Sequence, residues 1–296
     1  MKNSLVLAGL VSLVLVGNAS MAQDRSDPRV QSGVQFAPSG DDVNYPDAIS
    51  RIQGTGVIRA CADSHNFPGS AMHQEPPGYD IDIIRAIAAR RDMRVEFVWA
   101  DTGTRGGLGR AMRNTIDKKL CDVFVGLPIA PDMLEEMKEK NYIFTRPYLS
   151  DAYVLVVQGK AADMKSLAEL KAANLKVGVD MSTPADAYLF DREIPRELYF
   201  RNRAIMRGLA NGEVDAALVW SPRLIERRKE APKADFKLAD GFVPEPALRW
   251  NSAMIVPEKE KGVKEFLDAA IDEMVANGEI GKIVTRYGLP YFPPVN

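Results

Sequence analysis

Histidine and cysteine are scarce in this chain of 296 residues, with two of each. His65 and His73 share one loop, and with Cys61 they match no recurrent zinc spacing because a fourth ligand is missing. No metal site is expected. There is no Cys-x-x-Cys-His run, which excludes covalently attached haem, and no Gly-x-Ser-x-Gly or supported Cys–His pair for a nucleophilic hydrolase. The glycine-rich run 103–109 follows a strand and precedes a helix, yet it fits neither the dinucleotide fingerprint nor the P-loop. It reads as a flexible loop. No acidic run has calcium-loop spacing. Excess charge is lacking as well, since 38 Lys and Arg against 40 Asp and Glu leave a formal net charge of -2. Such a balance offers no field for nucleic acid or anionic lipid. Catalytic residues and cofactors are therefore not expected.

Long apolar runs are confined to the start. Lys2 precedes an apolar stretch from Leu5 to Val16, followed by small residues at Ala19, Ser20 and Ala22. This order describes a secretory signal peptide with cleavage after Ala22, and the run is shorter than the about 20 residues a membrane span needs. The mature chain is expected in the periplasm, soluble and without a membrane anchor. For Cys61 and Cys121, export makes pairing the default. The expected strands argue against it, with Cys61 ending one strand and Cys121 beginning its parallel neighbour. The two would then lie beyond the ~7 Å that a disulfide spans. This favours free thiols and leaves the pairing open.

Residues 23–56 are polar, rich in Asp, Gly, Ser and Pro, and read as an N-terminal arm. Strands are then expected at 57–62, 95–100 and 121–127, separated by helices at 81–91 and 109–119. A second series has a helix at 166–171, a strand at 175–180, helices opening at 183 and 203, and a strand at 214–220. The best-patterned helix carries Val263, Phe266, Leu267, Ala270, Ile271, Met274 and Val275 on one face, with Gly278 at its end. Continuous apolar strands alternating with helices indicate parallel sheets in α/β domains. The apolar segments 147–158 and 247–257 look like paired crossover strands. The expected architecture is α/β with two lobes joined by two hinge strands and a cleft between them. Its parts are a signal peptide (1–22), an arm (23–53), lobe I (54–151 plus 252–296) and lobe II (152–251).

These pieces resemble, in order and spacing, the solute-binding proteins of the polar amino-acid transporter type: RACADSHNFP, GYDIDIIRAIAARRDMRVEFVWA, CDVFVGLPIAPDM, FTRPYLSDAYVLVV, KVGVDMST and MVANGEIGKIVTRYG. A narrower block is similar to the "J" accessory proteins of methanol-oxidation gene clusters. It contains Cys61-Ala62-Asp63 with Asn66 and Pro68, Arg113-Asn114-Thr115-Ile116, Cys121-Asp122-Val123, and Gly126-x-Pro128. Thr145 to Tyr148 and Gly212 to Pro222 continue it. The departures are Gly69 in place of Phe, a longer stretch before Thr145 and a shorter second lobe after Pro184.

The resemblance implies a ligand carboxylate held by an Arg and by a helix N-terminus, and a ligand ammonium held by an Asp. Here the Arg position falls on Met133 or Leu134 and the Asp position on Trp220. Only the helix start survives, at Ser182 and Thr183 with Pro184. The expected lining is Asp63, Asn66, Phe67, Met72, Leu127, Pro128, Met133, Ser182, Thr183 and Trp220, an apolar and aromatic surface rather than a zwitterion site. Plainer readings stand beside these: Trp220 as core, Asp63 as a strand-end cap, and Phe67 packed under its loop. Asp80 and Asp82 precede a helix, and its dipole accounts for them. The resemblance further implies a monomeric, non-catalytic partner of a quinoprotein methanol dehydrogenase or its cytochrome. The rivals are a transport receptor for an uncharged or aromatic solute, and a dehydratase-like enzyme on the same fold.

Overall fold

The computed structural model describes residues 45–200 and 204–295. The expected signal peptide and residues 23–44 of the arm lie outside the described residues. Where the arm was expected to end as coil, a helix forms instead: α1 (Ala48–Thr55), capped by the Asp47 carboxylate, which accepts the Ser50 N–H at 2.8 Å. Arg51 reaches the buried Asp122, and the Ala48 N–H donates to Glu260 at 3.0 Å. Only Ile52 of this helix is buried. Ala48 and Ile49 pack half-buried beside it, so the apolar stripe is narrow and polar ties add to the hold.

The first lobe continues through β1 (Val57–Asp63), the hairpin β2 (His65–Asn66) and β3 (Ser70–Ala71), and α2 (Tyr79–Ala89). After these come β4 (Arg94–Ala100), α3 (Gly107–Asn114), β5 (Val123–Pro128), α4 (Pro131–Glu139) and β6 (Tyr142–Phe144). β1 pairs parallel with both β4 and β5. Both faces of β1 and β5 are covered, which is why these two strands read as near-continuous apolar runs, while the edge strand β4 stays mostly half-buried. Ile58, Ala60 and Ala62 meet Ile83, Ile84 and Ile87 of α2, whereas Cys61, Val98 and Phe124 meet Met112 and Met137.

The second of these clusters contains a Cys61–Cys121 disulfide, with Cα atoms 5.6 Å apart. This overturns the preference for free thiols. Cys121 does not begin the neighbouring strand, since β5 starts at Val123, and the register sets Cys61 beside Phe124 rather than at a far end. Cys121 is thus free of the ladder and packs into the same cluster as Cys61.

The chain then runs through β7 (Leu149–Val157), α5 (Leu167–Ala172), β8 (Val177–Asp180), α6 (Pro184–Asp191), β9 (Arg196–Tyr199) and α7 (Ile205–Ala210). It continues with β10 (Ala216–Trp220), α8 (Leu224–Arg228), β11 (Lys237–Leu238), β12 (Arg249–Pro257), α9 (Lys261–Ala276) and α10 (Glu279–Arg286). β8 lies parallel between β9 and β10, and β10 pairs antiparallel with β7. On α9, Val263, Leu267, Ala270, Ile271 and Met274 are buried, and Gly278 takes the left-handed conformation (φ 76°) that ends one helix and begins the next.

β7 and β12 are the two crossovers. They pair antiparallel over residues 149–152 and 249–252, with Ala152 opposite Arg249 and Leu149 opposite Ser252. The later part of β12 pairs with β5 and the later part of β7 with β10. The strand order is β4-β1-β5-β12-β7-β10-β8-β9. Two α/β lobes therefore meet at a short ladder that belongs to both.

Candidate functional site

The hinge ladder has two faces, because successive side chains on a strand alternate. Asp151 lies opposite Trp250, and Tyr153 lies opposite Trp220 of β10. These four side chains consequently share one face. The ring centroids of Tyr153 and Trp220 are 5.2 Å apart, those of Trp220 and Trp250 5.5 Å, and those of Tyr153 and Trp250 6.3 Å. All three pairs are inclined, as the ring quadrupoles favour. Tyr153 is buried, while both indoles are half-buried. The result is an aromatic floor with indole surface left over for contact.

The second lobe frames this floor. α6 starts at Thr183, whose hydroxyl accepts the Asp186 N–H at 3.2 Å and donates to the Asp180 carbonyl at 2.7 Å. The Asp180 carboxylate accepts Arg227 Nη2 at 2.7 and 2.9 Å, and Arg227 Nη1 donates to Glu230 at 2.7 Å. Burial first, and then the Asp180 charge, push the Tyr153 hydroxyl pKa up, with the Thr183 contact opposing them. A helix N-terminus is a ready anion site, but here the chain supplies the anion itself. The Ser182 N–H donates to Asp186 Oδ2 at 3.0 Å, and Arg196 Nε donates to Asp186 Oδ1 at 2.8 Å. Partial burial acts to raise the Asp186 pKa, yet these two donors hold it below the usual carboxylate range.

The expected lining residues fall into three groups. Thr183 and Trp220 meet at Tyr153, and Ser182 is exposed just before Thr183. Asp63, Asn66, Phe67 and Met72 share the stretch around the β2–β3 hairpin. There the Asp63 carboxylate accepts the His65 N–H at 2.7 Å and the Thr102 hydroxyl, so it caps the strand end. Phe67 packs against the core with its ring 6.3 Å from Tyr287, while Asn66 is exposed and Met72 half-buried. Leu127 is 6 % exposed and packs with Cys61 and Phe124, which leaves it little surface to offer a ligand. Pro128 is exposed at the end of β5, Met133 is half-buried against that same cluster, and Leu134 is exposed. Among the described residues, one group gathers possible metal-ligating atoms: Asp63, His65 and Asp101, within 4.8 Å of one another.

Beside the floor lies a buried polar network that no local sequence pattern announces. Asp80 does more than face a helix dipole. It is 2 % exposed, and Tyr148 donates to its Oδ1 at 2.5 Å while accepting the Gly126 N–H at 3.1 Å. A Cβ at Gly126, whose φ is 78°, would stand 2.5 Å from Asp80 Oδ2, and a Cβ at Gly69 2.7 Å from the same atom. Only glycine leaves room at these two places. Beside it, Asp151 accepts from Tyr79 at 3.3 Å and from Ser252 at 2.6 Å. Burial pushes the Asp80 carboxyl up to about 7 and that of Asp151 up to about 6; the Asp151 charge adds to the first. Asp82 accepts the Tyr287 hydroxyl at 2.8 Å and lies near Arg85 and Arg286.

The sequence profile described as bacterial extracellular solute-binding proteins, family 3, matches residues 58–290. Over 242 residues the chain is 22% identical to the probable amino-acid-binding protein YxeM of Bacillus subtilis (strain 168), covering 80% of this chain and 86% of that one. Over 275 residues it is 23% identical to protein MoxJ of Methylorubrum extorquens, covering 81% and 83%. Among solved structures, the L-cystine solute receptor of Neisseria gonorrhoeae in its unliganded open conformation is similar, with TM-score 0.64 and 20% identity over 84% of this chain and 99% of that one. An ancestral cyclohexadienyl dehydratase gives TM-score 0.63 at 18% identity, covering 83% and 98%. At these identities the structural likeness shows the fold.

Proposed function

The chain belongs to the bacterial extracellular solute-binding proteins of family 3, and from that premise we propose that it is a non-catalytic binding protein serving a quinoprotein methanol dehydrogenase. It captures an apolar or aromatic group, carried by a partner segment or a small ligand, on the Tyr153–Trp220–Trp250 floor. One observation carries the reading: Trp220, inclined against Tyr153 with ring centroids 5.2 Å apart, stands where the resemblance puts the carboxylate for a ligand ammonium. Met133 and Leu134 likewise offer no guanidinium, and Asp186 already occupies the start of α6. Enclosing a zwitterion without counter-charges costs more than apolar contact returns. The link to the dehydrogenase is supported by the Arg113–Ile116, Cys121–Val123 and Gly126-x-Pro128 block, and by the likeness to MoxJ. The proposed setting is the periplasm, as a monomer.

Two measurements test this. Millimolar amounts of any of the twenty common amino acids should leave the melting temperature unchanged, since a ligand that binds only the folded chain raises it. Trp220→Ala should weaken capture of purified dehydrogenase roughly thirtyfold at equal folded protein, while the remote Lys264→Glu has little effect. Full binding by a normally folded Trp220→Ala protein overturns the floor as the anchor. A second reading, a transport receptor, is supported by the names of YxeM, a probable amino-acid-binding protein, and of PatH from Vibrio harveyi, a putative amino-acid ABC transporter-binding protein, with the lining pointing it to an uncharged or aromatic solute. It predicts a melting shift with a small aromatic solute and no dehydrogenase capture. The dehydratase reading needs an accessible acid–base pair, whereas Asp80 is buried under Tyr148.

A further inference from the structure

The hinge ladder has a second face, opposite the aromatic floor, and a separate piece of chain lies across it. After α10, Gly288 adopts φ 71° and turns the chain away from the helix. Residues 289–295 then run without regular secondary structure and bond to both crossovers at once. From β7, the Ser150 N–H donates to the Phe292 carbonyl at 2.9 Å and Ser150 Oγ to the Pro293 carbonyl at 3.2 Å. From β12, Arg249 Nη2 donates to the same Pro293 carbonyl at 2.6 Å. Asn251 contributes twice, donating from Nδ2 to the Val295 carbonyl at 2.7 Å and accepting the Val295 N–H on Oδ1 at 2.9 Å.

The register explains why these side chains converge. Ser150 stands opposite Asn251 and Ala152 opposite Arg249, so strand alternation places them on the face away from Asp151, Tyr153 and Trp250. The segment is anchored by packing as well as by bonds. The rings of Tyr291 and Phe292 pack on the core, and the Arg249 guanidinium lies 5.8 Å from the Phe292 ring centroid. Its composition suits a tie rather than another strand. Pro290, Pro293 and Pro294 restrict φ and remove N–H donors, which keeps the segment extended and unable to continue a ladder.

We propose that residues 289–295 form a strap that sets the swing of the lobes. Domain closure is absorbed by φ/ψ changes at a few hinge positions. Here those positions lie in two strands bonded to one common segment, so neither crossover can rotate alone without breaking bonds to the strap. Holding both strands at a fixed spacing limits the range of lobe angles while leaving the opposite, aromatic face free for its ligand. The inference rests on hinge geometry and is independent of what the floor binds.

The full-length protein with Ser150→Ala and Asn251→Ala loses three of the hydrogen bonds to the strap and keeps its rings. A second variant ends at Leu289. Spin labels at exposed Glu135 in the first lobe and exposed Asp191 in the second report the interlobe distance, and hydrogen exchange reports the Ser150 amide. Expected for the double variant are at least tenfold faster exchange at Ser150 and a broader distance distribution with a new short-distance population, at a preserved cooperative melt. Faster exchange with an unchanged distribution overturns the proposal, because the strap is then off and the hinge indifferent. Unchanged exchange overturns it too, since those side chains then do not hold the strap. If the shortened chain does not fold, the double variant decides.

Discussion

Replacing Asp80 by Asn asks how much a single buried carboxyl behind the hinge costs the fold, and at which pH. In the folded chain, burial raises this group from 3.8 to about 7, the Tyr148 hydrogen bond opposing and the Asp151 charge assisting. Between those two values the folded chain binds more protons at Asp80 than the unfolded chain does. The group's contribution to stability is therefore present near pH 4 and is lost as pH climbs through about 7. At 1.36 kcal/mol per pH unit the full span is ~4 kcal/mol. Asn has the same shape, keeps an oxygen for Tyr148 and never ionises. Its amide N–H groups, set beside Gly69 and Gly126, cost about 1–2 kcal/mol if they find no acceptor. Asp80→Asn should therefore stabilise the protein by ~2 kcal/mol at pH 8 and weaken it slightly at pH 4.5. Urea unfolding of both proteins at pH 4.5, 6 and 8 reads the difference, which cancels carboxyls common to both. A gain that does not change with pH, or a loss at pH 8, would refute the account of a carboxyl held against its charge.

Cys61→Ser with Cys121→Ser releases a cross-link between residues 60 apart in sequence, and chain entropy then predicts ~4 kcal/mol lower stability. Urea midpoints that coincide for the variant and the oxidised wild type would refute this. Asp186→Ala removes the acceptor of the Ser182 N–H and the partner of Arg196, at a cost of about 1–2 kcal/mol. It also opens the α6 N-terminus, so sulfate should raise the melting temperature of the variant more than that of the wild type. Equal responses would show that Asp186 was not filling the anion position.

Elements whose order comes from a broad apolar face were legible in the residues. α9 announces itself by its stripe, and β1, β5 and β10 by near-continuous apolar runs, because two-sided burial leaves little polar alternation to find. α1 was not legible, having only Ile52 inside. α4 hides for the same reason, with Met137 alone buried among acids and lysines. In the site, Thr183 was legible as a helix cap and Trp220 as a strand-end residue, since capping and a strand end are local properties. Tyr153, Trp250 and Asp151 were visible as residues of the crossovers, but their meeting depends on which residue faces which across the ladder, and no local pattern specifies that. Asp80 was misjudged for a related reason. Its helix explains an acid at that place, whereas its burial depends on Tyr148, 68 residues away. The cysteines failed on register, the strands being taken as flush at their ends.

The crossovers serve different neighbours on their two faces, Asp151, Tyr153 and Trp250 on one and Ser150, Arg249 and Asn251 on the other. Exchanging one side chain on such a strand is a local event, but changing its length is not. One residue gained or lost within β7 would rotate everything beyond it by half a turn of the pleat, sending the tyrosine to the back and leaving the strap facing a carboxylate. Drift in length should therefore collect in the connections, such as residues 158–166 and 229–248, while the nine residues of each crossover stay nine. An alignment of relatives would show this as gap-free columns at positions where the amino acids themselves vary.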